Sequence, residues 1–190
     1  MFRRGRDEPG LGLLPRRGAR ASALVVPVPD AEPYVGDYRA RHDPNVRCGL
    51  PAHITVLYPF LPATRLEPGV LDSLAATLAT CAPFDFALSR VGHFDGVHYL
   101  APTPTAPFVA LTTSVCERWP DHPPYRGIHA AIVPHMTVAQ GACPPSFETD
   151  LAPVLPIGTR ATEVWLLTRP SGSRWTLHSR FSLGDARGAS

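Results

Sequence analysis

The 190-residue sequence predicts a mixed helix-and-strand domain of two lobes that share one cleft, and three observations predict it. Short β-rich apolar segments alternate with stretches of helical periodicity. The tetrapeptide H-x-T-V is written twice, as His53-Ile54-Thr55-Val56 and His135-Met136-Thr137-Val138, with the histidines 82 residues apart, close to half the foldable length. The order of elements in the second half also roughly repeats that of the first, as expected if each half builds one lobe and supplies one strand to the cleft.

Residues 1–20 alternate Arg, Gly and Pro around one Leu-Gly-Leu-Leu patch, too short for the apolar stretch of a secretory signal, and read as a disordered arm. Residues 185–190 read as a disordered tail, leaving a single domain over 21–184. Ala23 to Val28 is a strand, and Asp30 is placed to cap a helix running over Glu32, Tyr34, Val35 and Tyr38 to about Arg41. A Pro/Asn/Gly-rich loop, 43–51, delivers the first His strand. Val70, Leu71, Leu74 and Leu78 recur at helical spacing in a helix that ends near Cys81. Phe84, Phe86 and Leu88 alternate, and Asp95-Gly96 is a hairpin turn before Val97 and Tyr99. The second half reads as a helix from Phe108 to Trp119, a Pro/His/Gly-rich loop, the second His strand, a short helix from Phe147 to Leu155, and two paired strands, Glu163 to Thr168 and Trp175 to Leu183.

Composition excludes several chemistries. All 18 basic residues are arginine, so there is no P-loop, no Schiff-base lysine and no lysine adenylate. Residues 1–20 hold six Arg against Asp7 and Glu8, and the rest of the chain holds 12 Arg against 14 acids, so the folded part is not a basic nucleic-acid clamp. The sequence holds no run of 18 apolar residues, the length needed to cross a membrane. Cys48, Cys81, Cys116 and Cys143 are scattered without a C-x-x-C pair, which reads as reduced packing residues in a cytoplasmic protein, and a monomer is expected.

On a strand, residues i and i+2 share a face, so each H-x-T-V aims one imidazole and one hydroxyl at the same point. With 8 His, 14 Thr and 15 Val in the chain, about 0.05 copies of the motif are expected by chance. Two imidazoles facing each other suit a reaction that needs a base and an acid in one transition state, and phosphodiester transfer is such a reaction. Thr55 and Thr137 then stand where hydroxyls can donate to the non-bridging oxygens. No acidic residue lies near either motif in sequence, and this chemistry requires neither metal nor cofactor.

The motif pair at 53–56 and 135–138 resembles the paired H-x-T-x motifs of the two-histidine phosphoesterase superfamily, over about Ser22 to Gly184. The resemblance implies a bilobal α+β fold of two antiparallel sheets related by a pseudo-twofold axis, with helices outside and a central cleft. It implies His53, Thr55, His135 and Thr137 as the catalytic set, and metal-independent attack on 2',3'-cyclic or 2'-5' phosphodiesters of a small nucleotide or an RNA terminus. ATP-independent ligation is the same chemistry reversed, and a non-catalytic nucleotide- or RNA-binding module is the reading from another class. Gln140 stands where many members carry Arg. Further candidates each have a bland reading: Tyr58 stacks on a base or packs in the core, since a regular strand points it away from His53. His129 reaches the cleft mouth or is structural. Arg126, Arg174 and Arg180 meet a phosphate or are surface charge.

Overall fold

The first strand, β1 (Ala21–Pro27), is apolar on both sides because both of its faces are covered. Leu24 and Val26 enter the main core, while Ala23 and Val25 enter a second cluster with Leu50, Leu167 and Trp175. The computed structural model describes residues 21–94, 96–128, 131–141, 145–170 and 173–184. Cys143, His129 and both terminal arms fall outside the described residues.

The further elements are α1 (Glu32–His42), α2 (Pro44–Arg47), β2 (His53–Leu57), α3 (Pro68–Ala79), β3 (Phe84–Phe94), β4 (Val97–Thr103), α4 (Ala106–Arg118), β5 (Met136–Gln140), α5 (Phe147–Leu151), β6 (Ile157–Ala161), β7 (Glu163–Arg169) and β8 (Thr176–Ser182). They form two four-stranded sheets of order β2-β1-β7-β8 and β5-β4-β3-β6, with every pairing antiparallel. A pseudo-twofold axis relates them: β1-α1-β2 matches β4-α4-β5, and each His strand is an edge strand. The helices cross over, α1 packing on β5 and α4 on β2. The fold is the expected bilobal α+β arrangement.

The lobes are not the two halves of the sequence. The hairpin β3-β4, which closes the first half, belongs to the second sheet, and β7-β8 returns to complete the first. The expected order repeat treats these hairpins as local to their own halves; hydrogen bonding sends each to the other lobe. Strand β6, I-G-T-R-A, escapes the sequence reading because Gly158 interrupts its pattern. Asp30 does not cap α1; it lies in the turn Pro29–Ala31 and accepts a 2.6 Å hydrogen bond from Thr159 Oγ1, fastening the two lobes together. The loop 43–51 contains α2, whose N-cap is Asp43, accepting from the Asn45 amide at 3.0 Å.

Both His strands carry a bulge at the same place. Val25 pairs with Thr55 but Leu24 pairs with Leu57, and Tyr99 pairs with Thr137 but His98 with Ala139. Val56 and Val138 are therefore the extra residues, each directly after the motif threonine. The carbonyl of Val56 is satisfied from outside the sheet, by Thr112 Oγ1 of α4 at 2.9 Å.

Candidate active site

His53 and Thr55 are half-buried, whereas Ile54 and Val56 are buried in the main core. The same alternation holds for His135 and Thr137 against Met136 and Val138. Because β2 and β5 are the edges of their sheets and touch each other, the two motifs meet where the lobes meet.

Each ring is pinned in the same way. His53 Nδ1 donates to the Pro51 carbonyl at 2.7 Å, and His135 Nδ1 donates to the Val133 carbonyl at 2.7 Å. A carbonyl can only accept, so Nδ1 carries the hydrogen and Nε2 is the basic nitrogen of each neutral ring. Burial pushes the His53 pKa down to about 4, assisted by the charges of Arg39 and of His135, while the bond to Pro51 opposes the shift. The two imidazoles thus feel one another across the junction.

The surroundings of the two rings differ. His135 is packed by Phe94, edge-on at 4.9 Å between centroids, and by Tyr99 at 5.4 Å. The Tyr99 ring lies over Gly92, where a Cβ would come within 2.5 Å of it, so the glycine makes room for the ring. On the other wall, Tyr125 hydrogen-bonds Thr55 through its side chain, and burial raises its phenol above the ordinary range. Its backbone N–H donates to the Tyr58 carbonyl at 2.7 Å. Tyr125 and Arg126 hold left-handed φ values of 50° and 59°, followed by Gly127 at 74°. A non-glycine residue there costs about 1–2 kcal/mol, so the turn is held by its contacts to β2 rather than by local preference.

The bulge overturns the parity expected of Tyr58. An extra residue at Val56 returns Tyr58 to the face of His53 and Thr55, where its ring meets Trp175 at 6.0 Å. Its phenol is raised by burial, against the charges of Arg126 and Arg169. By the same count Gln140, opposite Val97, shares the face of Thr137, opposite Tyr99. Arg126 is exposed beside Tyr58; Arg174 is exposed and lies against Gly49; Arg180 is stacked over Trp165 at 4.9 Å. His129 lies outside the described residues. Sequence reasoning missed Tyr125, Arg169 and Arg39; only the left-handed turn, invisible in composition, marks the first. Among the described residues, no group of three or more His, Cys, Asp or Glu converges as a metal site.

The sequence profile of the 2'-5' RNA ligase superfamily matches residues 26–173, from within β1 through both motifs to the approach of β8. The chain belongs to that superfamily. It is accordingly a two-histidine phosphoesterase, an enzyme. Its fold is similar to that of E. coli LigT complexed with 3'-AMP, at 17% identity over 87% of this chain and 98% of that one, with a TM-score of 0.59. It is also similar to E. coli LigT complexed with ATP, at 18% identity over 87% and 98% of the two chains, TM-score 0.55. TT0787 of Thermus thermophilus matches at 18% identity over 88% and 100%, TM-score 0.59. At such identities the likeness establishes the fold. No curated protein matches this superfamily member by sequence. No helix among the described residues is long and apolar enough to cross a membrane.

Proposed function

We propose that this superfamily member hydrolyses 2',3'-cyclic or 2'-5' phosphodiester bonds of nucleotides or RNA ends, without metal, using His53, Thr55, His135 and Thr137. The observation that carries the reading is the duplicated pin: two histidines on touching edge strands, each with Nδ1 tied to the carbonyl two residues back. Such pins hold the tautomer and orientation that proton transfer at Nε2 requires. Support for a nucleotide as substrate comes from the E. coli LigT complexes with 3'-AMP, ATP and NADP+.

With a pKa of about 4, His53 is neutral near pH 7 and suits the base. In this mechanism a water gives its proton to His53 Nε2 as its oxygen bonds to phosphorus. The bond from phosphorus to the departing ribose oxygen breaks, and that oxygen takes a proton from His135. Thr55 and Thr137 donate to the non-bridging oxygens as charge builds there. Exchange with solvent restores both rings, and in the reverse direction the two histidines exchange roles. Tyr58 and Arg126 flank one end of the reacting centre, and Gln140 flanks the other. Arg174 and His129 are assigned to outer recognition of the nucleotide.

The test is turnover of 2',3'-cyclic mononucleotides, 2'-5' dinucleotides and RNA ending in a cyclic phosphate, with EDTA present and ATP absent. Hydrolysis of at least one under these conditions is expected. Turnover that needs a divalent ion or ATP overturns the mechanism, and tight binding without turnover supports the binding module instead.

A further inference from the structure

The loop that presents His53 is clamped by a buried cation. Arg39 of α1 is only 2% exposed. Its Nη1 pairs with Glu32 Oε1 at 2.6 Å, and its Nη2 donates to the Leu50 and Pro51 carbonyls, both at 3.1 Å, with Asp43 Oδ2 at 3.5 Å. Glu32 Oε1 also accepts from the Ala52 amide at 2.8 Å. The Pro51 carbonyl is the same oxygen that accepts from His53 Nδ1 at 2.7 Å. A single acceptor thus joins a guanidinium to an imidazole, immediately before the strand that carries the imidazole.

We propose that Arg39 is a positioning residue for the reaction: through the Pro51 carbonyl and its own charge it holds His53 as the neutral Nδ1–H tautomer, with Nε2 as the proton acceptor. The reasoning is electrostatic and geometric. A carbonyl already polarised by a guanidinium is a poorer partner for a second donor, which weakens its stabilisation of an imidazolium. The cation also opposes a second positive charge directly, in surroundings that screen it poorly, since Arg39 Nε is buried without a partner. The fork over Leu50 and Pro51 fixes the loop so that the carbonyl cannot rotate away.

Among the described residues, the charged groups that act on His53 are Arg39 of α1 and His135, just ahead of β5. Glu32 of α1 and Asp43 of the α2 cap are bound to Arg39, and Tyr125 and Tyr58 stand on the wall of Thr55. β1 supplies none. From α4 it is Thr112 that reaches β2, while Cys116, Glu117 and Arg118 lie in its final turn. The pin itself is duplicated on the other wall, where the Val133 carbonyl receives His135 Nδ1.

This inference rests on the proposed use of His53 as base, but its test does not. The titration of His53 is followed by NMR on histidine-labelled protein, in the wild type and in Arg39→Met, Arg39→Lys and Glu32→Gln. Arg39→Met should raise the His53 pKa by about one pH unit or more. Arg39→Lys, with charge but no fork, should fall between it and the wild type. Glu32→Gln keeps both hydrogen bonds as an acceptor and leaves the cation less compensated, so the pKa should fall below wild type. Any other order overturns the proposal. If Arg39→Met does not fold, Arg39→Lys and Glu32→Gln must still move in opposite directions, and failure to do so overturns it equally. In an active preparation, the acidic limb of the kcat/KM profile should follow the same order with KM nearly unchanged, which a merely structural arginine would not produce. Loss of all phosphodiesterase activity with the predicted titration order intact would refute the function and leave the role of Arg39 standing.

Discussion

The two H-x-T-V walls share a backbone and differ in what stands behind it. Both have a pinned imidazole, a threonine two residues on and a bulge just after that. Behind His53 is an ionic cluster of Arg39, Glu32 and Asp43; around His135 are the rings of Phe94 and Tyr99. A ring kept beside a buried cation is poorly suited to bear a proton. Under the proposed mechanism, it is this difference in lining behind matching scaffolds that assigns His53 as base and His135 as acid.

The sharpest way to break this comparison is to remove one ring at a time. His53→Ala and His135→Ala should each lower turnover by about 10²–10⁴-fold, measured with a cyclic mononucleotide. The double variant should lose far less than the product of the two, because the rings act in one transition state. If either single variant kept full activity, the walls would not be a working pair.

Next in size are the hydroxyls. Thr55→Val and Thr137→Val should each cost about 2.7–4 kcal/mol in kcat if they donate to the developing charge. Thr55→Val should show the greater loss, since it also takes that partner from the Tyr125 hydroxyl. Equal losses would mean that Tyr125 does not assist Thr55.

The pH profile sharpens the comparison further. A base must be neutral, so the acidic limb of the activity profile should fall as pH drops through about 4, well below the ordinary histidine value. The same depression makes folding less favourable as pH drops from about 6.5 towards 4, because the unfolded chain binds the proton that His53 refuses. Thermal melts should show this loss in the wild type and less of it in His53→Gln.

The smallest effects come from supports of each wall. Gly92→Ala would drive a Cβ into the Tyr99 ring and should lower the melting temperature, displacing the aromatic lining of His135 while leaving the His53 titration unchanged. Arg126→Gly, at φ 59°, should stabilise the fold by about 1 kcal/mol while weakening binding of an anionic substrate near Tyr58. A destabilised Arg126→Gly would show that its side chain contributes more than its backbone costs.

Much of this was legible in the chain. The helices at 68–79 and 106–118 follow from apolar spacing, and the two His strands from a four-letter motif in apolar flanks bounded by Pro or Gly. What escaped depends on register or on distant partners. Alternation predicts Tyr58 on the far face, and only a pairing offset at Val56 reverses it. Arg39 sits on a helix with little amphipathic contrast and looks like surface charge until the loop at 50–52 folds over it. Tyr125 lies in a segment whose left-handed backbone no local residue preference announces. Asp30 has the composition of a cap, yet its partner, Thr159, is 129 residues away.

The crossing of the hairpins bears on how the chain is made. As it leaves the ribosome, β1 and β2 emerge early, but β7, which pairs with the other edge of β1, is complete only at residue 169. Until then the first sheet is a two-stranded ribbon, and such ribbons are marginal in water. The second sheet likewise waits for β6 before it has all four strands. The second sheet thus has its strands by residue 161, before β7 of the first begins at 163, but the two lobes share one core whose last members, Phe181 and Leu183, are made at the very end. Nascent chains halted anywhere between about residues 100 and 160 should remain protease-sensitive throughout, and full-length protein should acquire resistance in a single step.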